Sequence, residues 1–197
     1  MNQIRPSIIY LFLYFIFALL VLGTVQFPFF WDTIQLGSKH AHYFYETTFR
    51  SIILPNEIDS GHIPSLGIYL ALVWKIAKKS LVISHLAMLP FVMGIVFQSL
   101  RLTKRLFPAE WHFAAAILLL ADATLMAQCS LISPDVILMF FFIMAINHWF
   151  SGKKIWFAIA LAGMALASMR VCGRIRYCTS SGLFFSDEME RIGYCRQ

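Results

Sequence analysis

Apolar residues in this chain fall into five runs that are long enough, or nearly so, to cross a hydrocarbon layer as helices. They are approximately Ile8–Phe27, Leu81–Leu100, Trp111–Ile132, Pro134–Phe150 and Ile155–Met169. A spanning helix needs about 20 apolar residues, so the last two lie at the short end of the range. A sixth run, Pro64–Ala77, is shorter again and ends among Lys75, Lys78 and Lys79. That length predicts an interfacial or re-entrant helix rather than a full crossing. The first run is too long for a signal-peptide core, and no small-x-small cleavage site follows it, so it is expected to be a retained signal anchor.

Between the first run and the short one lies a polar segment, Pro28–Ile63, with Asp32, Lys39, His40, His42, Glu46, Arg50, Glu57, Asp59 and His62. Tyr43, Phe44, Phe49, Ile52 and Ile53 make part of it amphipathic, as for a helix lying on a membrane surface. A loop of this size with its own helix is more often functional than a mere connector. The expected organisation is therefore an all-α, polytopic transmembrane bundle of about five spans, with residues 28–80 forming an outer loop of juxtamembrane helices. Residues 1–170 make up this module. After Arg170 the apolar pattern stops, and 171–197 are rich in Cys, Arg, Ser and Gly, as in a truncated or frame-shifted reading frame.

Basic residues orient the spans. With Arg5, Arg101, Lys104, Arg105, Lys153 and Lys154 inside, six cations face the cytoplasm against five outside (Lys39, Arg50, Lys75, Lys78, Lys79). Counting Pro64–Ala77 as a span reverses the balance. The preferred arrangement puts Asp32 and Asp135 on the same outer face, with two spans between them.

Composition strengthens the membrane reading. Hydrophobic residues make up 59% of the 197 positions and charged residues 13%, with 19 Phe. Soluble domains run near 25% charged, and a water-soluble fold of this length cannot hide so much apolar surface. The net charge of +6 comes from cations at the edges of apolar runs, with no continuous stripe, so nucleic acid is excluded as a partner. Four cysteines without CxxC or zinc-finger spacing indicate no metal framework.

Four places can carry chemistry. Asp32, in Phe29-Phe30-Trp31-Asp32, is either a membrane-edge carboxylate or the cap of a helix starting at Thr33. His62, in the turn Asp59–Pro64, can bind a metal or a phosphate, or be an ordinary surface histidine. In Ser133-Pro134-Asp135, either Ser133 or Asp135 can cap the helix that follows. Asp122, in the middle of Trp111–Ile132, is costly in a bilayer unless it faces a cavity, pairs or is protonated.

The ordered set resembles the GT-C glycosyltransferases, in particular relatives of protein O-mannosyltransferases and lipid A aminoarabinose transferases (glycosyltransferase family 39 in the broad sense). The matching pieces are Phe30-Trp31-Asp32, the surface segment His42-Tyr43-Phe44-Tyr45-Glu46, the Gly61–Tyr69 approach to the short helix, Ser133-Pro134-Asp135 opening a Phe-rich helix, and Arg170 at the outer end of the next span. Thr33 stands where the family often has a second acid, and His62 where the aminoarabinose transferases have an acidic metal ligand. Family members are also much longer.

The resemblance implies an enzyme of a bacterial cytoplasmic membrane that moves a sugar from a polyprenyl-phosphate donor to a protein, lipid or glycan acceptor at the outer face. Asp32 would be the general base and Asp135 would orient the acceptor or stabilise charge at the anomeric carbon. Arg170, Lys75 and Lys78 would hold the donor phosphate, and His62 a phosphate or divalent metal. The rival readings are a transporter or channel subunit built on Asp122 and a non-catalytic membrane fragment.

Overall fold

The computed structural model describes residues 6–51 and 53–167, and every regular element among them is helical. Arg170 and the 171–197 segment lie outside the described residues. In chain order the helices are α1 (Pro6–Gly23), α2 (Trp31–Thr33), a π turn (Ile34–Ser38) running into α3 (Lys39–Thr47), α4 (Ser65–Ala77), α5 (Leu81–Leu106), α6 (His112–Leu120), α7 (Ala123–Cys129), α8 (Pro134–Phe150) and α9 (Lys154–Ala167).

Local chemistry sets the boundaries. Ser80 caps α5, its Oγ accepting from Ile83 N at 3.1 Å, and Ser133 caps α8, its Oγ accepting from Asp135 N at 3.2 Å. Pro134 occupies the first turn of α8, where its missing N–H is harmless. Gly152 (φ 65°) supplies the left-handed step that turns α8 into α9. The end of α3 is less comfortable: Thr48 (φ 53°) and Phe49 (φ 58°) are both left-handed without being glycine, at a cost of about 1–2 kcal/mol per residue.

By length and composition, α5 is the one helix among the described residues that can cross a membrane unaided. The α6–α7 pair passes the same test jointly but is bent by 62°. Shorter apolar helices are Ile8–Gly23, α4, α8 and α9.

Three expectations are corrected. Trp111–Ile132 is not one continuous helix, because Asp122 turns its carboxylate back to accept from Leu125 N at 2.9 Å and so caps α7 instead of continuing α6. The second run does not stop at Leu100, since α5 extends its basic end to Leu106. The amphipathic segment stops at Thr47, which leaves Phe49 and Ile53 outside any helix.

Side-chain contacts give the helix directions. Phe140 of α8 packs on Phe91 of α5 with ring centroids 5.8 Å apart, and on Gly94, where a β-carbon would collide with its ring. Further along both helices, Asn147 Nδ2 donates to the Gln98 carbonyl at 2.8 Å and to its Oε1 at 3.0 Å. Helices α5 and α8 are therefore parallel. Helix α9 returns antiparallel, with the ring of Phe141 filling the space left by Gly163. Helix α1 runs against α5: Tyr10 meets Phe113 at 5.2 Å, whereas the carbonyl of Phe27, beyond the other end of α1, accepts from His85 Nε2 at 3.0 Å. The chain thus makes alternating passes in α1, α5, α6–α7, α8 and α9. One core joins Phe17, Val92, Ile95, Leu120 and Val136.

Helix α4 lies against the first half of α5, with Tyr69 Oη donating to the Ala87 carbonyl (2.7 Å) and Trp74 Nε1 to Ser84 Oγ (2.8 Å). The end of the bundle where α5 begins is called the upper end, and the end where α5 finishes the lower end.

Candidate functional site

Most residues singled out from the sequence lie toward the upper end. Asp135, in the first turn of α8, is exposed. Because Ser133 supplies the cap, the Asp135 carboxylate is not consumed by the helix start and makes no hydrogen bond or ion pair among the described residues. It lines an open concavity of about 330 Å³ between α7 and α8. Asp122, Thr124 and Gln128 line the same concavity, with Leu125, Val136 and Met139 as its apolar wall.

The break at Asp122 explains how a carboxylate is tolerated there. The side chain is exposed and capping a helix, not sealed within a continuous span. Gln128 Oε1 is buried and finds no hydrogen-bond partner among the described residues, an arrangement that costs about 1–3 kcal/mol unless something else satisfies it. Gln128 and Thr124 were not anticipated as site residues. The available signal was their polarity and their mutual i, i+4 spacing within an apolar run.

Asp32 sits inside the first turn of α2, whose N-cap is Phe30, so it does not cap a helix starting at Thr33. Its backbone follows the Phe27–His85 contact by five residues and belongs to the upper end. The position of its carboxylate is outside the described side chains. The pair of acids that shares a concavity is Asp122 with Asp135, a pairing the sequence reading did not make.

The polar loop is folded down onto α3. His40 is fully buried, and its Nε2–H donates to the Ile58 carbonyl at 3.0 Å, with Ser60 Oγ at 3.5 Å from the same nitrogen. Burial lowers its pKa from the ordinary 6.5, against the raising influence of the Ile58 carbonyl and the Asp59 charge. Asp59 Oδ1 is occupied by Gly61 N at 2.9 Å. His62 is half-buried nearby, and among the described residues no three His, Cys, Asp or Glu side chains converge to hold a metal.

The lysines at the end of α4 differ in availability. Lys75 lies over the Tyr45 ring, 4.8 Å from its centroid, and donates to Thr48 Oγ1 at 3.3 Å. Lys79 pairs with Glu46 at 3.4 Å. Lys78 is exposed and unpaired among the described residues. Of the two lysines expected at a donor phosphate, Lys78 is therefore the one with a free ammonium, and Lys75 is engaged in holding α4 to α3. Arg170, the third expected cation, lies outside the described residues, but α9 brings the chain to the right end: the Leu166 carbonyl accepts from Ser65 Oγ, at the start of α4, at 2.7 Å.

No protein-family model, characterised protein or solved structure matches this chain. The functional reading therefore rests on the residues themselves.

Proposed function

We propose that the chain is a multi-pass membrane module whose upper end faces away from the cytoplasm and transfers a sugar from a polyprenyl-phosphate donor to an acceptor hydroxyl. The observation that carries the reading is the shared concavity of Asp122 and Asp135 beside a lipid-compatible helical surface. A neutral alcohol is a poor nucleophile, and a carboxylate within hydrogen-bond reach makes it a better one. Asp135 is the better placed base, because its carboxylate has no structural partner among the described residues, whereas Asp122 already spends one oxygen on Leu125 N. Asp32, whose backbone in α2 belongs to the upper end, would be a further acid. Lys78, with Arg170, would meet the donor phosphate at the interface, and the apolar wall of the concavity suits the first isoprene units.

The test is transfer from a polyprenyl-phosphate sugar by reconstituted protein. Asp135→Asn is expected to lower kcat by about 10²–10⁴-fold, the usual contribution of a general base, with the thermal midpoint unchanged. Full activity of this variant removes the reading. The break between α6 and α7 favours a second one, since interrupted helices carrying an acid also build ion and substrate paths in transporters. Uptake of a labelled solute into vesicles, abolished by Asp122→Asn and untouched by Asp135→Asn, is the outcome that selects it.

A further inference from the structure

The lower end gathers cations that form no ion pair among the described residues. Arg101, Lys104 and Arg105 come from the last turns of α5, and Lys153 and Lys154 from the α8–α9 turn. Two contacts bring these segments together. Arg105 Nη1 donates to the Asn147 carbonyl at 2.6 Å, and Lys153 N donates to the neighbouring His148 carbonyl at 3.1 Å, so the α5 terminus and the α8–α9 turn meet around Asn147–His148. His148 is 7% exposed, and its Nδ1 has no hydrogen-bond partner among the described residues. Glu110, the acid in the neighbouring turn, forms no ion pair among them either. Like charges gathered at one end of a bundle repel unless an anion comes between them.

The rim of this cluster is aromatic. Trp111, Trp149 and Trp156 are 63%, 68% and 51% exposed. Tryptophan with one apolar and one polar edge favours the headgroup level of a bilayer. Beyond the rim the exposed surface is apolar: Phe142 on α8 and Ile159 on α9 are both open. A cation cluster, a tryptophan rim and an apolar flank follow one another along α8 and α9, in the order of a phospholipid's phosphate, glycerol and acyl chains.

We propose that Arg101, Arg105 and Lys153 form a headgroup site for an anionic phospholipid of the cytoplasmic leaflet, clamped across the α5 terminus and the α8–α9 turn. The inference rests on the multi-pass part of the preceding reading and is independent of sugar transfer. Charge complementarity with the bilayer's anionic headgroups names the occupant. An acidic segment of a partner protein would match the charge but would leave the apolar flank unused.

Native mass spectrometry of the full chain, released from nanodiscs of phosphatidylglycerol and phosphatidylcholine in equal amounts, tests it. Phosphatidylglycerol is expected to be retained preferentially. A juxtamembrane cation contributes about 1 kcal/mol to anionic-lipid attraction, or about fivefold in affinity, so Arg101→Gln with Lys153→Gln is expected to cut retention by about 25-fold. This variant keeps the Arg105–Asn147 contact, so its folding is protected. Neutralising Lys75 and Lys78 at the other end is expected to leave retention unchanged. Equal retention of both lipids by the wild type, or equal loss from both pairs of substitutions, overturns the site. Binding of polyglutamate in place of phosphatidylglycerol overturns it in favour of an acidic partner. Extraction of the protein from membranes by alkaline carbonate instead defeats the multi-pass reading itself, so the two failures are distinct.

Discussion

Asp122 shows how one side chain can hold two roles that separate experimentally. As the N-cap of α7 it needs an oxygen acceptor, which asparagine also supplies. As a chemical group it needs a charge, which asparagine lacks. Asp122→Ala is expected to destabilise the protein by about 1 kcal/mol in a denaturation series, and Asp122→Asn by much less. A loss of activity in the asparagine variant, at wild-type stability, would then report the charge alone. His40 offers a second test at this scale. The Nε2–H is given to the Ile58 carbonyl, Nδ1 makes no hydrogen bond among the described residues, and the ring is buried, so charging it places a proton out of reach of water. A histidine whose folded pKa lies below its unfolded value binds fewer protons when folded. The stability tied to neutral His40 is therefore full above about pH 6.5 and is lost as pH falls from there through the lowered folded value. His42 shifts the same way, through burial and then the Lys79 charge. Protease cleavage within 49–64 is expected to rise between about pH 7 and pH 5, and His40→Asn is expected to flatten that response.

At the scale of elements, the outer segment is joined to the bundle by a close approach of two helices. A β-carbon at Gly67 of α4 would collide with the His40 β-carbon and come within 3.0 Å of Ala41 N on α3. Gly67→Ala must push α3 away, and overpacking of this kind costs about 1–3 kcal/mol. The expected result is a lower thermal midpoint and faster proteolysis of 49–64, while accessibility of the α8–α9 turn stays as in the wild type. The run pattern anticipated α1, α4, α8 and α9 to within a few residues, because long apolar stretches have few alternatives to helix. It missed the break at residues 121–122, because hydropathy averages over a window and cannot register that one carboxylate will cap rather than continue a helix. It also extended the amphipathic segment beyond Thr47, since the left-handed pair Thr48–Phe49 has no glycine to announce it.

For the molecule as a whole, the alternating passes sort the charges. The lower end holds Arg101, Lys104, Arg105, Lys153 and Lys154, and the upper end holds Asp135, the polar loop and the α4 lysines. If the bundle sits in a bilayer as proposed, single cysteines replacing exposed Asp59 and Asp135 are expected to react with a membrane-impermeant maleimide in intact cells. Cysteines replacing Lys104 and Lys153 are expected to react only after permeabilisation. Labelling of Asp59→Cys and Asp135→Cys from opposite sides would separate the concavity from the polar loop and end the shared-face argument.

The sequence by itself determined that the chain is helical, where most helices lie, and which residues are costly enough in an apolar setting to demand a reason. Those properties follow from composition and local periodicity, which need no partner elsewhere in the chain. Only the tertiary structure decided which acids line one concavity. Asp122 comes to line the same concavity as Asp135 because α6 breaks and α7 lies beside α8, and Lys75 is drawn onto α3 while Lys78 has no partner among the described residues. Such pairings depend on contacts between residues distant in the chain, and those contacts are settled by packing, not by any local pattern.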